Sequence, residues 1–159
     1  MAKVYVGIGS NIEKHIHIPA VLVELKEKFG ELDVSPVYES ESAGFTGENF
    51  HNLVVGLNTM LSPQQMHECL RELETLHGRQ RLTENQFISR TLDLDLILYD
   101  DLCLSDKRVK VPNSDILKYS FVLKPLADIA GDMIHPVLGK SFQQLWDEFD
   151  KATTTIRQL

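Results

Sequence analysis

Cysteine is scarce in this chain of 159 residues, with only Cys69 and Cys103. Two cysteines make no disulfide framework, and these two have no metal-ligand spacing, so they point to a reducing cytoplasm. Positive charge is also in short supply. The net charge of −7 argues against a general nucleic-acid-binding surface. Long apolar runs are missing as well. No segment approaches the roughly 20 apolar residues of a membrane span, and the start, MAKVYVGIGSN, lacks the apolar stretch and cleavage site of a signal peptide. The absence of a Walker motif excludes a P-loop site. No repeat, low-complexity tract or linker interrupts the chain. What is present is an ordinary globular composition, 43% apolar and 25% charged, in a length that suits a single domain over 1–159. The expected state is a cytoplasmic monomer whose partners are small molecules, with no nucleic acid and no membrane.

Periodicity supplies the elements. KVYVGIGS alternates and reads as a buried strand, with Gly7 and Gly9 allowing close packing or a turn. IPAVLVELKEKFG has helical spacing, with Pro19 near its start and Gly30 at its end. DVSPVYES is a short strand that contains Pro36, which predicts a sheet edge. SAGFTGEN is a loop, and FHNLVVGLNTM is a strand. SPQQMHECLRELETLHG is the clearest helix. Ser62 and Gln65 form a capping box, Pro63 takes the first position, Met66, Leu70, Leu73 and His77 make a stripe, and Gly78 stops it. RQRLTENQFISR is a polar loop, DDLCLSDKRVKVP a hairpin, SFVLKPLADIA a partial helix and SFQQLWDEF a final short helix. Strand-helix-strand repeated twice predicts an α+β fold with a ferredoxin-like core and a mainly antiparallel sheet.

The stretch SRTLDLDLILYD carries the chemistry. Strict alternation puts Leu92, Leu94, Leu96 and Leu98 on one face and Asp93, Asp95, Ile97 and Tyr99 on the other. Two carboxylates about 7 Å apart on one strand face repel unless something positive lies between them. A lone D-x-D also occurs at a solvated strand end. Here the face turns apolar after the aspartates, and Arg79, Arg81 and Arg90 cluster just before them. Paired Mg²⁺ ions with guanidinium groups would neutralise a polyphosphate, whereas simple surface ion pairs would contribute little. Phe50, Asn52 and Phe121 form a second constellation. A flat heterocycle can stack between rings while an amide meets its edge, although Phe residues are as a rule core residues.

Together these motifs resemble the 6-hydroxymethyl-7,8-dihydropterin pyrophosphokinase family. The resemblance runs over nearly the whole chain and rests on GIGSN, NFHNLVV, LETLHGRQR, RTLDLDLILYD and FVLKPLADIA in that order. It implies a three-layer α-β-α arrangement and transfer of pyrophosphate from ATP, the co-substrate, to the pterin hydroxymethyl group, leaving AMP. It further implies that Asp93 and Asp95 hold two Mg²⁺ ions and that Asn52 meets the pterin edge. Phe50 and Phe121 would stack on the pterin, Arg79, Arg81 and Arg90 would close over ATP, and Glu74 would stand beside this site.

The chain departs from the family pattern at the nucleotide. Asn113 stands where the family has His, Tyr119 where it has Arg, and Arg71 where it often has a neutral polar residue. Phe87 replaces a Trp. Arg108 is retained, and Lys110 and Lys118 could supply charge. The nucleotide is therefore expected to meet Arg108, Lys110, Asn113 and Tyr119. These departures leave a second reading, a divergent paralogue that binds a pterin or nucleotide without efficient transfer.

Overall fold

The computed structural model describes residues 1–41, 49–78, 92–151 and 155–159. Most of the SAGFTGEN and RQRLTENQFISR segments lies outside these residues, as do Arg79, Arg81 and Arg90.

A sheet of six strands organises the chain. Strand β1, Ala2–Ser10, lies in the middle of it, flanked by β4, Phe50–Thr59, and β5, Asp93–Tyr99, both antiparallel to it. Beyond β4 come β2, Asp33–Val34, β3, Tyr38–Ser40, and then β8, Ile156–Gln158. All these ladders are antiparallel, and the order β5-β1-β4-β3 is that of a ferredoxin-like core. Strands β6, Leu104–Ser105, and β7, Lys110–Val111, form the expected hairpin.

Helices cover both faces, which makes three layers. On one side lie α1, Lys14–Phe29, and α2, Pro63–Leu76. Ile18, Val21 and Leu25 of α1, with Met66, Leu70 and Leu73 of α2, pack on Val4, Val6 and Ile8 of β1. Full burial of such side chains contributes about 1.5–3 kcal/mol each. On the other side, α3, Asp115–Lys118, α4, Ser120–Ala130, and α5, Phe142–Glu148, bring Ile116, Leu123, Leu126 and Phe142 against Tyr5, Val54 and Leu98.

Helix α2 has the expected start. The Ser62 hydroxyl accepts from the Gln65 N–H at 3.2 Å, and the Gln65 side chain accepts from the Ser62 N–H at 2.9 Å. Helix α1 begins earlier than its Pro signal suggests, so Pro19 sits inside it rather than near its first residue. The short helix α3 has no counterpart among the expected elements.

Two expectations about strands need correction. The DVSPVYES segment is an edge only at β2, which among the described residues pairs with β4 alone, because β8 pairs with β3 on its outer side. It is also two strands, since the register against β4 shifts by one residue between Val34 and Tyr38. The Ser35 hydroxyl accepts the Val54 N–H at 2.9 Å across this irregularity. The second correction concerns β5. Val6 pairs with Leu96 but Tyr5 pairs with Leu98, so Ile97 is an extra residue, a β-bulge. Past it the faces exchange. Leu98 joins Ile97 in the cluster under α4, while Tyr99 turns to the α1–α2 side and donates its hydroxyl to the Leu61 carbonyl at 2.6 Å.

Candidate active site

A recess with about 400 Å³ of empty space, open to solvent, lies on the α3–α4 side of the sheet. Its floor is the part of β1 without side chains. Gly9 pairs with Asp93 and Gly7 with Asp95, so two carboxylates stand beside two hydrogens. A Cβ on Gly7 would fall 2.9 Å from Ile97 Cδ1, and one on Gly9 would fall 3.0 Å from Asn52 Oδ1. A side chain at either position would push on Ile97 or Asn52, whose tips, from adjacent strands, already occupy that space.

The structure brings Asp93, Asp95, Asn52, Phe121 and Asn113 together around this recess. Asn52 is buried, and its amide donates to the Ser40 hydroxyl at 2.8 Å, which orients the side chain. Phe50 precedes Asn52 by two residues on β4, hence on the same face, and does not line the recess. Tyr119, 40% exposed, stacks on Phe121 with ring centroids 5.0 Å apart and planes inclined by 21°.

Other expected residues are elsewhere. Glu74 is fully buried beneath β5, where it accepts the Leu94 N–H at 2.8 Å and the Arg71 guanidinium at 2.7 Å. It does not line the recess. Arg108, its side chain 63% exposed, pairs with Glu68 at 3.1 Å, and Lys110 is exposed on β7. Neither lines the recess. Asn113 lines it, but with its side-chain amide engaged. Its Nδ2 donates to the Leu96 carbonyl at 3.3 Å, and its Oδ1 accepts the Asp115 N–H at 2.9 Å.

Asp115 is the lining residue that sequence reading missed. The signal was the PNSD run ahead of a helix too short to show any period. Three carboxylates thus share the recess, and their charges are felt. Asp95 keeps 43% of its side-chain surface open towards the recess. Yet protein atoms crowd its carboxyl enough that burial is the largest cause raising its pKa to about 7. The Asp93 charge adds to the rise and Arg71 opposes it. Burial is also the main cause of the raised pKa of Asp115, with Lys118 opposing and Asp93 adding.

This donor set fits a hard divalent cation. It is all oxygen, and like charges crowd in a way that a cation would relieve. Among the described residues no group of three or more His, Cys, Asp or Glu could hold a metal by itself. Mg²⁺, however, is commonly held by one or two carboxylates together with substrate phosphates. Also among the described residues, no helix is long and apolar enough to cross a membrane.

Comparison with known proteins gives a consistent pattern. The model of the 7,8-dihydro-6-hydroxymethylpterin-pyrophosphokinase family matches residues 5–131. The chain is 34% identical over 150 residues to a 2-amino-4-hydroxy-6-hydroxymethyldihydropteridine pyrophosphokinase of Aquifex aeolicus, covering 93% of this chain and 92% of that protein. It is 37% identical over 139 residues to the protein of the same name from Pseudomonas aeruginosa, covering 84% of each. Its fold is similar to that in a crystal structure of wild-type Plasmodium falciparum HPPK-DHPS with SDX-DHP. The TM-score is 0.72 at 13% identity, over 93% of this chain and 43% of that longer one.

Proposed function

The chain belongs to the 7,8-dihydro-6-hydroxymethylpterin-pyrophosphokinase family, and from that premise we propose how its own residues move pyrophosphate from ATP to the pterin hydroxymethyl group in folate biosynthesis. One observation carries the assignment of residues. Asp93 and Asp95 stand opposite the bare backbone of Gly9 and Gly7, with Asn52 and Phe121 in the same recess.

The pterin occupies the glycine floor. Asn52, already turned by Ser40, meets its edge with the remaining N–H and with Oδ1. Phe121 stacks on one face and Phe50 closes the other. The hydroxymethyl group then points at the carboxylate end. Its oxygen attacks the β-phosphorus of ATP in line with the departing α-phosphate oxygen. One O–P bond forms, one breaks, the hydroxyl proton is released and AMP leaves. Asp93 and Asp95 hold two Mg²⁺ ions, which supply positive charge to the phosphate oxygens. Positioning and charge stabilisation do most of the catalysis in such a transfer.

Arg79, Arg81 and Arg90 supply further charge to ATP, a role that rests on the family resemblance, while Arg108, Lys110, Asn113 and Tyr119 flank the nucleotide. The protein acts as a cytoplasmic monomer. Its free cysteines, with Cys103 exposed, support a reducing compartment. The relatives matched over most of this chain carry the name of the enzyme, which lends no support to the alternative of a paralogue without turnover. The test is incubation with ATP, Mg²⁺ and 6-hydroxymethyl-7,8-dihydropterin. AMP appears if the reading holds, whereas ADP, or no turnover, overturns it.

A further inference from the structure

Among the described residues strand β5 is the outer strand of the sheet on its side, with no strand along one edge of its backbone. Such an edge must find hydrogen-bond partners elsewhere. At Leu94, the residue between the two aspartates, both backbone groups find them on α2. The N–H donates to Glu74 Oε2 at 2.8 Å, and the carbonyl accepts from Arg71 Nη2 at 3.3 Å. Arg71 and Glu74 are themselves paired, Nη1 to Oε1, at 2.7 Å. Two side chains one helical turn apart thus imitate a neighbouring strand for a single residue.

This is an expensive way to satisfy one peptide edge. Glu74 is fully buried and Arg71 partly so, and among the described residues the buried Arg71 Nε–H has no hydrogen-bond partner. Ion pairs taken out of water seldom add to stability, because desolvation offsets their attraction. An uncharged side-chain donor and acceptor could meet the same two backbone groups at less cost. What the charged pair adds is geometry, since a planar guanidinium fork fixes two acceptors in direction as well as distance. The same Nη2 lies 3.9 Å from Asp95 Oδ1, so the fork also faces one of the recess carboxylates.

We propose that Arg71 and Glu74 are positioning residues that clamp the Leu94 peptide groups and thereby hold Asp93 and Asp95 at the spacing that receives metal and phosphate. Glu74 then acts from beneath the strand instead of touching substrate. Arg71 couples the clamp to Asp95 and sets positive charge against a crowded carboxylate group. This rests on the reading of Asp93 and Asp95 as the metal-holding pair.

The experiment uses the full chain as Arg71→Gln, Arg71→Lys and Glu74→Gln, with Asp95→Ala beside them. Mn²⁺ binding is followed by electron paramagnetic resonance with a non-hydrolysable ATP analogue present. Exchange of the Leu94 amide hydrogen, pterin affinity and the thermal midpoint are measured on the same samples. Arg71→Gln is expected to weaken Mn²⁺ about tenfold, to speed Leu94 exchange and to leave pterin affinity within about twofold. Arg71→Lys, which keeps a charge beside Glu74 and therefore the fold, should lie between it and the wild type. A lower thermal midpoint with unchanged Mn²⁺ affinity in the folded variants would make the pair merely structural and overturn the proposal. Unchanged Mn²⁺ affinity in Asp95→Ala would instead overturn the metal reading on which it rests.

Discussion

The two sides of the recess are built differently. Gly7, Gly9, Asn52, Asp93 and Asp95 belong to three adjacent strands, and ladder hydrogen bonds fix their mutual positions. Arg108, Lys110, Asn113 and Tyr119 come from the hairpin and the junction around α3. On the strand side every one of those residues lines the recess. On the other side only Asn113 does, and its amide is engaged with Leu96 and Asp115. The difference follows from the backbone. A strand turns alternate side chains to one face, and pairing sets them opposite a neighbour. A hairpin tip lets long cationic side chains reach into water. The proposed pterin and metal positions therefore lie on paired strands, and this chain's departures from the family pattern at Asn113 and Tyr119 fall on the other side.

The comparison breaks most visibly at the carboxylates. Asp93→Ala or Asp95→Ala should lower the rate of AMP formation about a hundredfold or more, roughly 3 kcal/mol of transition-state stabilisation. Pterin affinity should survive, because Asn52 and Phe121 keep their places in the recess when a carboxylate is removed. Near-normal rates in both variants would mean that the strand side does not hold the metal.

Asn52→Ala tests the same side at its other end. Loss of its contacts should weaken pterin binding by about 2 kcal/mol, roughly thirtyfold, with ATP affinity unchanged. Calorimetric titration of each ligand separates the two effects. Weakening of both together would contradict the division of the recess.

On the hairpin side the expected change is a gain. Tyr119→Arg supplies a guanidinium where charge is short and should tighten a non-hydrolysable ATP analogue about tenfold, or about 1.4 kcal/mol. The lost stack on Phe121 should weaken the pterin slightly, since such pairs contribute about 0.5–1.5 kcal/mol. Asn113→His is the poorer choice, because it removes the bonds to Leu96 and Asp115. An unchanged or weaker ATP constant in Tyr119→Arg would show this side to be adapted rather than depleted.

The smallest effect belongs to His135, outside both sides of the recess, and serves as a control. Its Nδ1 accepts the N–H groups of Val137 and Leu138 at 3.1 and 3.2 Å, and burial lowers its pKa from the usual 6.5. The unfolded chain thus takes up a proton below about pH 6.5 that the folded chain refuses. Stability is full above that pH and falls as the pH drops towards the lowered folded value. A thermal midpoint lower by a few degrees at most is expected at the acid end. His135→Asn keeps an acceptor for the turn and should remove that part of the pH dependence. A persistent slope would assign it to other groups.

Sequence alone determined the parts whose physics is local. Ser62, Pro63 and Gln65 specify the start of α2 within four residues, and alternation specifies β1 and β4. The shared face of Asp93 and Asp95 follows from the pleat, and the ordered motifs identify the family. Tertiary structure decided what depends on residues far apart in the chain. Ile97 can fill the space beside Gly7 only because β5 lies against β1, and the bulge there sends Tyr99 to the opposite face from the one that strict alternation predicts. Strand β8 covers β3 from more than a hundred residues away, which no edge signal at Pro36 could reveal. Glu74, on α2 just beside the helix's apolar stripe, became the partner of the Leu94 N–H, because an outer strand's open backbone groups must be met by whatever the packed helix presents.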